Sequence, residues 1–130
     1  MRAIILLCTL TVLLISLAAC GTMSPVAMRG QTDHYVIQLD LDHTGLGPRT
    51  AIITVTTPQN QPVADGTVTL LPSMQEMGMF SDAISAQPIA PGRYQAQGEL
   101  FSMLGNWELG VRVNSAAGEE STNFMVKATP

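Results

Sequence analysis

From residue 33 to the C-terminus, short apolar and β-branched runs alternate with turn residues, and no stretch carries a 3.6-residue apolar period. That property argues against helical and α/β architectures, because a surface helix must bury a stripe that recurs every three to four residues. The runs can be read one by one. His34–Leu41 partly alternates and is broken by Gly45-Leu46-Gly47-Pro48. Ala51–Thr56 is β-branched, and Pro58–Pro62 turns the chain into Gly66–Leu71, which Pro72 ends. A weaker strand is read over Ala83–Ile89. Pro91-Gly92 introduces Arg93–Leu100; Trp107–Val113 alternates cleanly and joins Ser121–Lys127 through Ala116-Ala117-Gly118-Glu119 as a hairpin. About seven short strands at roughly 10-residue spacing predict an all-β fold, a small antiparallel sandwich of immunoglobulin-like type. A domain of about 100 residues is large enough to bury such a core, and Trp107 is its expected central tryptophan.

The first twenty residues read differently. Met1-Arg2 is followed by the apolar run Ala3–Leu17, broken only by Thr9, Thr11 and Ser16. About 15 residues fall short of the roughly 20 that a membrane span needs, and fit the apolar region of a signal peptide. Leu17-Ala18-Ala19-Cys20 resembles the bacterial lipobox, in which the cysteine is lipidated and becomes the first mature residue. An ordinary signal peptide cut elsewhere, or an uncleaved anchor, is the alternative. On the lipobox reading, 1–19 is a lipoprotein signal peptide, 20–32 a lipidated cysteine and flexible tether, and 33–130 the sandwich domain. The protein is then extracytoplasmic and held by its lipid on the cell membrane or outer membrane. Gly21 is not the aspartate that retains lipoproteins on the inner membrane.

Export limits the chemistry left to the domain. Cys8 leaves with the leader and Cys20 carries the lipid, so the mature domain has neither thiol nor disulfide. It keeps five basic residues against ten acidic ones, a net charge of −5, which argues against a nucleic-acid partner. No cysteine nucleophile, Gly-x-Ser-x-Gly, His-Glu-x-x-His or phosphate-binding glycine loop is present, so no enzyme is expected.

What remains is sulfur. Met74-Gln75-Glu76-Met77-Gly78-Met79 sets three thioethers within six residues, and Met103 lies in the turn before Trp107. Thioethers are soft donors that favour Cu(I). Gly78 would let the backbone bend so that Met74, Met77 and Met79 converge. The competing reading is core packing, the ordinary use of methionine. At strand spacing Met77 and Met79 share a face and Met74 points away. His34 and His43 stand as further candidate ligands, though each reads more readily as a surface or turn histidine.

Pro62-Val63-Ala64-Asp65-Gly66-Thr67-Val68, the methionine loop, Pro91-Gly92-Arg93-Tyr94 and Met103-Leu104-Gly105-Asn106-Trp107-Glu108-Leu109-Gly110-Val111 resemble in order and spacing the YtkA-like family, related to FixH. The resemblance covers roughly residues 50–113. It implies an immunoglobulin-like, often membrane-anchored domain associated with copper handling or cytochrome oxidase assembly. It also places Met74, Met77, Met79 and Met103 in the family's methionine-rich motif. Many relatives carry histidine where Met79 stands, and Gln75 replaces their usual proline. An all-thioether loop shifts preference further toward Cu(I), since imidazole suits Cu(II) better. The expected function is a lipid-anchored domain that binds Cu(I) for buffering or for delivery to a copper-handling or oxidase-assembly protein. The alternative is a metal-free accessory domain that docks on a membrane complex.

Overall fold

In the computed structural model, which describes residues 25–130, the chain forms two antiparallel sheets packed face to face. Among these residues the strands are β1 (Val26–Gln31), β2 (Val36–Leu41), β3 (Gly47–Thr56), β4 (Thr67–Met74), β5 (Met79–Phe80), β6 (Ile84–Ser85), β7 (Gln87–Ala90), β8 (Arg93–Phe101), β9 (Gly105–Ser115) and β10 (Gly118–Ala128). One sheet runs β1-β2-β3-β8-β7 and the other β10-β9-β4-β5, with β6 also paired to β4. The antiparallel sandwich expected from the strand pattern is therefore the fold. The segment read as a signal peptide, and Cys20, lie outside the described residues.

The structure has ten strands where the sequence pattern predicts about seven: β3 begins at Gly47, inside the stretch read as a break, β5 lies within the methionine loop, and two further segments depart from the sequence reading. The segment 26–31 is not tether but strand, paired with β2 from Val26–Leu41 to Gln31–Val36. Its alternation is hard to see because β1 is an edge strand. Val26, Met28 and Gly30 are only half-buried, and Ala27, Arg29 and Gln31 are exposed. Gly30 carries no side chain because Thr122 and the Phe124 ring of β10 occupy the space a Cβ would need, at 2.9 and 3.3 Å. The second departure is Ala83–Ile89, which divides between the sheets. Ile84 and Ser85 pair with β4, Ala86 is buried at the crossing, and Gln87–Ala90 joins β8.

The core follows from period-2 alternation. In β3, Arg49, Ala51, Ile53 and Val55 point inward while the residues between them are half-exposed. Trp107 is fully buried and meets Phe101 edge to face, with ring centroids 6.0 Å apart. The two tyrosines fill the core and satisfy their hydroxyls on backbone: Tyr94 Oη donates to Val63 O at 2.6 Å and Tyr35 Oη to Gly118 O at 2.6 Å.

The strands deliver their loops to two poles. One pole holds the β2–β3 loop (42–46), the β4–β5 turn (75–78), the β8–β9 loop (102–104) and the end of β10. The other holds the turns at 32–35, 57–61, 91–92 and 116–117.

Candidate metal centre

Met74 closes β4 facing inward and is only 3% exposed. The chain then makes a single 3-10 turn over Gln75–Met77, and the Gly78 N–H donates to Gln75 O at 3.0 Å. Gly78 sits at φ +62, the left-handed region that only glycine enters without a Cβ penalty. The chain returns as β5 with Met79 directly opposite Met74. Such partners have Cβ atoms about 4.5–5.5 Å apart on one face of the sheet. The bend expected at Gly78 is present, and it changes which methionines share a face. Strand parity pairs Met77 with Met79; the 3-10 turn instead pairs Met74 with Met79 and leaves Met77 at the tip, 62% exposed.

The edge strand after this turn is short for a reason in the sequence. Pro72 O accepts from Ser81 N–H at 3.0 Å, but proline has no N–H to return. The β4 pairing then slips by one residue between Ser73–Phe80 and Leu70–Ile84, a bulge that separates β5 from β6.

Met103 comes to the same pole from the other side. It is 37% exposed, and its carbonyl accepts the Trp107 Nε1–H at 3.0 Å. Two residues on, Gly105 (φ +134) lies against Met74; a Cβ there would stand 3.0 Å from Met74 Cε. Trp107 is one step beyond the Ser73–Glu108 pair, so the inner row across the sheet reads Val126, Trp107, Met74, Met79. The structure thus sets Met74 opposite Met79 and against Gly105 at the end of the sandwich, with Met77 on the turn between them and Met103 on the loop that leads into Gly105. Met74 is also a member of the hydrophobic core, so it serves packing whatever else it does.

The histidines separate. His34 lies at the opposite pole. Its backbone N–H donates to Glu120 Oε2 at 3.0 Å, and its Nδ1 lies 2.5 Å from Glu120 Oε1. Glu120 pairs with Val113, six residues along β9 from Trp107, roughly 20 Å at about 3.4 Å per residue. The structure therefore keeps His34 away from the methionines. The carboxylate raises the His34 pKa by hydrogen bonding and by its charge. Glu120 is held down to about 2 by hydrogen bonds from the Thr32 side chain and from His34.

His43 does reach the methionine pole. Its neighbour Thr44 accepts from Thr129 N–H at 3.0 Å, next to the Ala128–Gly105 pair. His43 Nδ1 accepts from Gly45 N–H at 3.2 Å, so a metal bound at that nitrogen must displace the bond. A residue that sequence reasoning missed stands beside it. Arg49 is buried, donates from Nε to Gly45 O at 2.7 Å and also reaches Leu46 O and Pro48 O. Arg49 and His43 both lie within 3.1 Å of the point a Cβ on Gly45 would occupy. A fixed cation at that place works against a second one. Nothing in the sequence distinguishes Arg49 from a surface arginine, because its partners are carbonyls of its own loop.

Among the described residues no three His, Cys, Asp or Glu side chains gather closely enough to hold a metal ion. The methionines at this pole offer thioether sulfur, which fits a soft monovalent metal better than a hard divalent one.

A ten-stranded antiparallel sandwich with a methionine-lined pole is the class that fold and site define. A crystal structure of an engineered protein shares the fold, at 15% identity and a TM-score of 0.54, over 84% of this chain and 21% of that one. This chain thus spans about a fifth of that protein's length. No curated protein matches the sequence. The family model described as YtkA-like matches residues 29–112, and the chain belongs to the YtkA-like family.

Proposed function

We propose that the protein is an exported, lipid-anchored domain that binds Cu(I) through thioethers for buffering or hand-over, and that it is not an enzyme. The observation that carries this reading is the Met74–Met79 cross-strand pair lying beside the Met103 loop. Met77, Met79 and Met103 supply the accessible sulfurs, and Met74 forms the floor beneath them. Two or three thioethers suit a d10 ion that imposes little geometry. Met77 and Met103 stand on turns, where a partner's ligands can displace them, as hand-over requires. Lipidation at Cys20 would keep the domain outside the cytoplasm, where no mature thiol competes for the metal.

Titration of the purified protein with Cu(I) against a competing chelator tests the reading. The expected result is one tightly held ion per chain, lost in a Met77→Leu/Met79→Leu/Met103→Leu variant that keeps its fold. Unchanged binding by that variant overturns the thioether site.

A second reading has its own observation. Met125, Glu108, Ser73 and Phe80 form one row across the outer face of the β10-β9-β4-β5 sheet, and Met125 and Phe80 are exposed. Beside them a groove of about 470 Å³ is lined by Leu71, Pro72, Gln75, Glu108 and Asn123. This face suits a metal-free accessory domain docking on a membrane complex. Cu(I)-dependent thermal stabilisation separates the two readings, since a ligand bound only by the native state raises Tm by mass action.

A further inference from the structure

We propose that the methionine pole rests on the lipid surface that anchors the chain. The inference builds on the reading of Cys20 as the lipidated residue, and adds to it an orientation that the fold imposes. β1 runs antiparallel to β2, with Val26 opposite Leu41, the last residue of β2. The chain therefore enters the domain from the methionine pole. Strand β1 also leaves little slack. From Cys20 to Val26 a fully extended chain spans at most about 20 Å. Val26 lies level with Leu41 and Ala51, and Gly47, where β3 begins at that pole, is four residues further on, about 13 Å. The lipidated cysteine clears the end of β3 by no more than about 7 Å on those two lengths. An acyl anchor sits in the bilayer interface, so with the leash running straight out of β1 the methionine pole is the end brought to it.

The surface there suits that position. Leu46 on the β2–β3 loop, Leu104 and Met103 on the β8–β9 loop and Met77 on the β4–β5 turn are all exposed. The Gly47–Phe101 pairing sets Leu46 beside the loop that carries Met103 and Leu104. At the opposite pole the described turns expose no large apolar side chain, and Ile89, near the end of β7, is the exposed one closest to them. The Arg49 guanidinium also satisfies the carbonyls of Gly45, Leu46 and Pro48, which lowers the cost of taking the Leu46 loop out of water. Among the described residues the pole carries no basic cluster, and Asp42 and Glu76 are exposed on its loops, so apolar contact and the tether hold it, not attraction to anionic headgroups.

The test uses the full lipidated chain, with Cys20 lipidation established by intact mass. It is reconstituted in phosphatidylethanolamine–phosphatidylglycerol vesicles. Leu104→Cys and Ala117→Cys variants each carry a nitroxide, and collision with oxygen is compared with collision with a water-soluble nickel chelate. The expected result is a severalfold rise in the oxygen-to-nickel ratio at position 104 on adding vesicles, with position 117 unchanged. A Leu46→Asp chain, still anchored, should lose most of that rise. Lipidated Cys20 with position 104 as open to nickel as position 117 overturns the orientation and leaves the anchor standing. Shielding of position 104 from both reagents assigns the pole to protein contact and also overturns it. An unlipidated chain that stays off vesicles overturns anchor and orientation together; one that binds with position 104 in lipid overturns the anchor and supports the pole contact.

Discussion

Met74 and Met77 are three residues apart and do different work, which makes them separable by mutation. Met74 is core, and leucine is close to it in volume, so Met74→Leu should cost less than about 1.5 kcal/mol. Met77 projects into solvent, and Met77→Leu should move stability by no more than about 0.5 kcal/mol. If thioethers hold Cu(I), Met77→Leu should nonetheless weaken it about tenfold, a change of about 1.4 kcal/mol readable by chelator competition. Gly105 offers a second handle on the site. Its φ of +134 and the 3.0 Å approach of Met74 Cε mean that Gly105→Ala carries both backbone strain and a clash. We expect a loss of about 1–3 kcal/mol in denaturant unfolding. The same substitution in a Met74→Ala background should cost less, because the clash disappears while the strain stays.

At the scale of elements, the His34–Glu120 pair ties the β1–β2 turn to the start of β10, and its pH dependence has a defined sign. His34 is raised from 6.5, so its contribution is full below 6.5 and is lost as pH rises through the folded value. Glu120 is lowered from 4.5 to about 2, so its contribution is full above 4.5 and is lost as pH falls toward 2. Both are present together between 4.5 and 6.5. Glu120→Gln should therefore lower Tm most in that window, with the gap to wild type narrowing on either side and shrinking with added salt. The elements also show what sequence could reveal. β9 was legible by its clean alternation, β3 by its β-branched residues and β8 by the Pro91-Gly92 turn that opens it. β1 was not, because its inner face is only Val26, Met28 and Gly30, three half-buried residues too few to stand out as an alternating run. The methionine loop was legible as a donor-rich turn with a bend at Gly78. The Met74–Met79 pairing was not, because the single 3-10 turn resets the strand parity by which faces are counted.

The two poles divide the whole molecule: one gathers sulfur and exposed apolar side chains, the other polar turns and the His34–Glu120 tie. If the methionine pole rests on a membrane as proposed, a partner reaching the thioethers must itself be embedded in or held at that membrane. The fold also makes β1 part of the domain and not its leash, which has a consequence for where the domain can be cut. Without residues 26–31, β2 becomes the sheet edge, offering unpaired backbone groups beside the largely buried Val36, Ile37, Leu39 and Leu41. The inner face also loses Val26 and Met28, which pack on the core, and Gly30, which fits against Phe124. A chain beginning at Asp33, where the sequence pattern alone would start the domain, should lose at least about 2 kcal/mol. At roughly 4–8 °C per kcal/mol for a domain of this size, that lowers Tm by about 10 °C. Its exposed edge should also drive self-association, visible by size-exclusion chromatography. A chain beginning at Gly21 should remain monomeric with Tm intact. Equal stability and monomeric behaviour of the two chains would show that β1 contributes nothing to the fold, and would restore the slack that the membrane-facing orientation excludes.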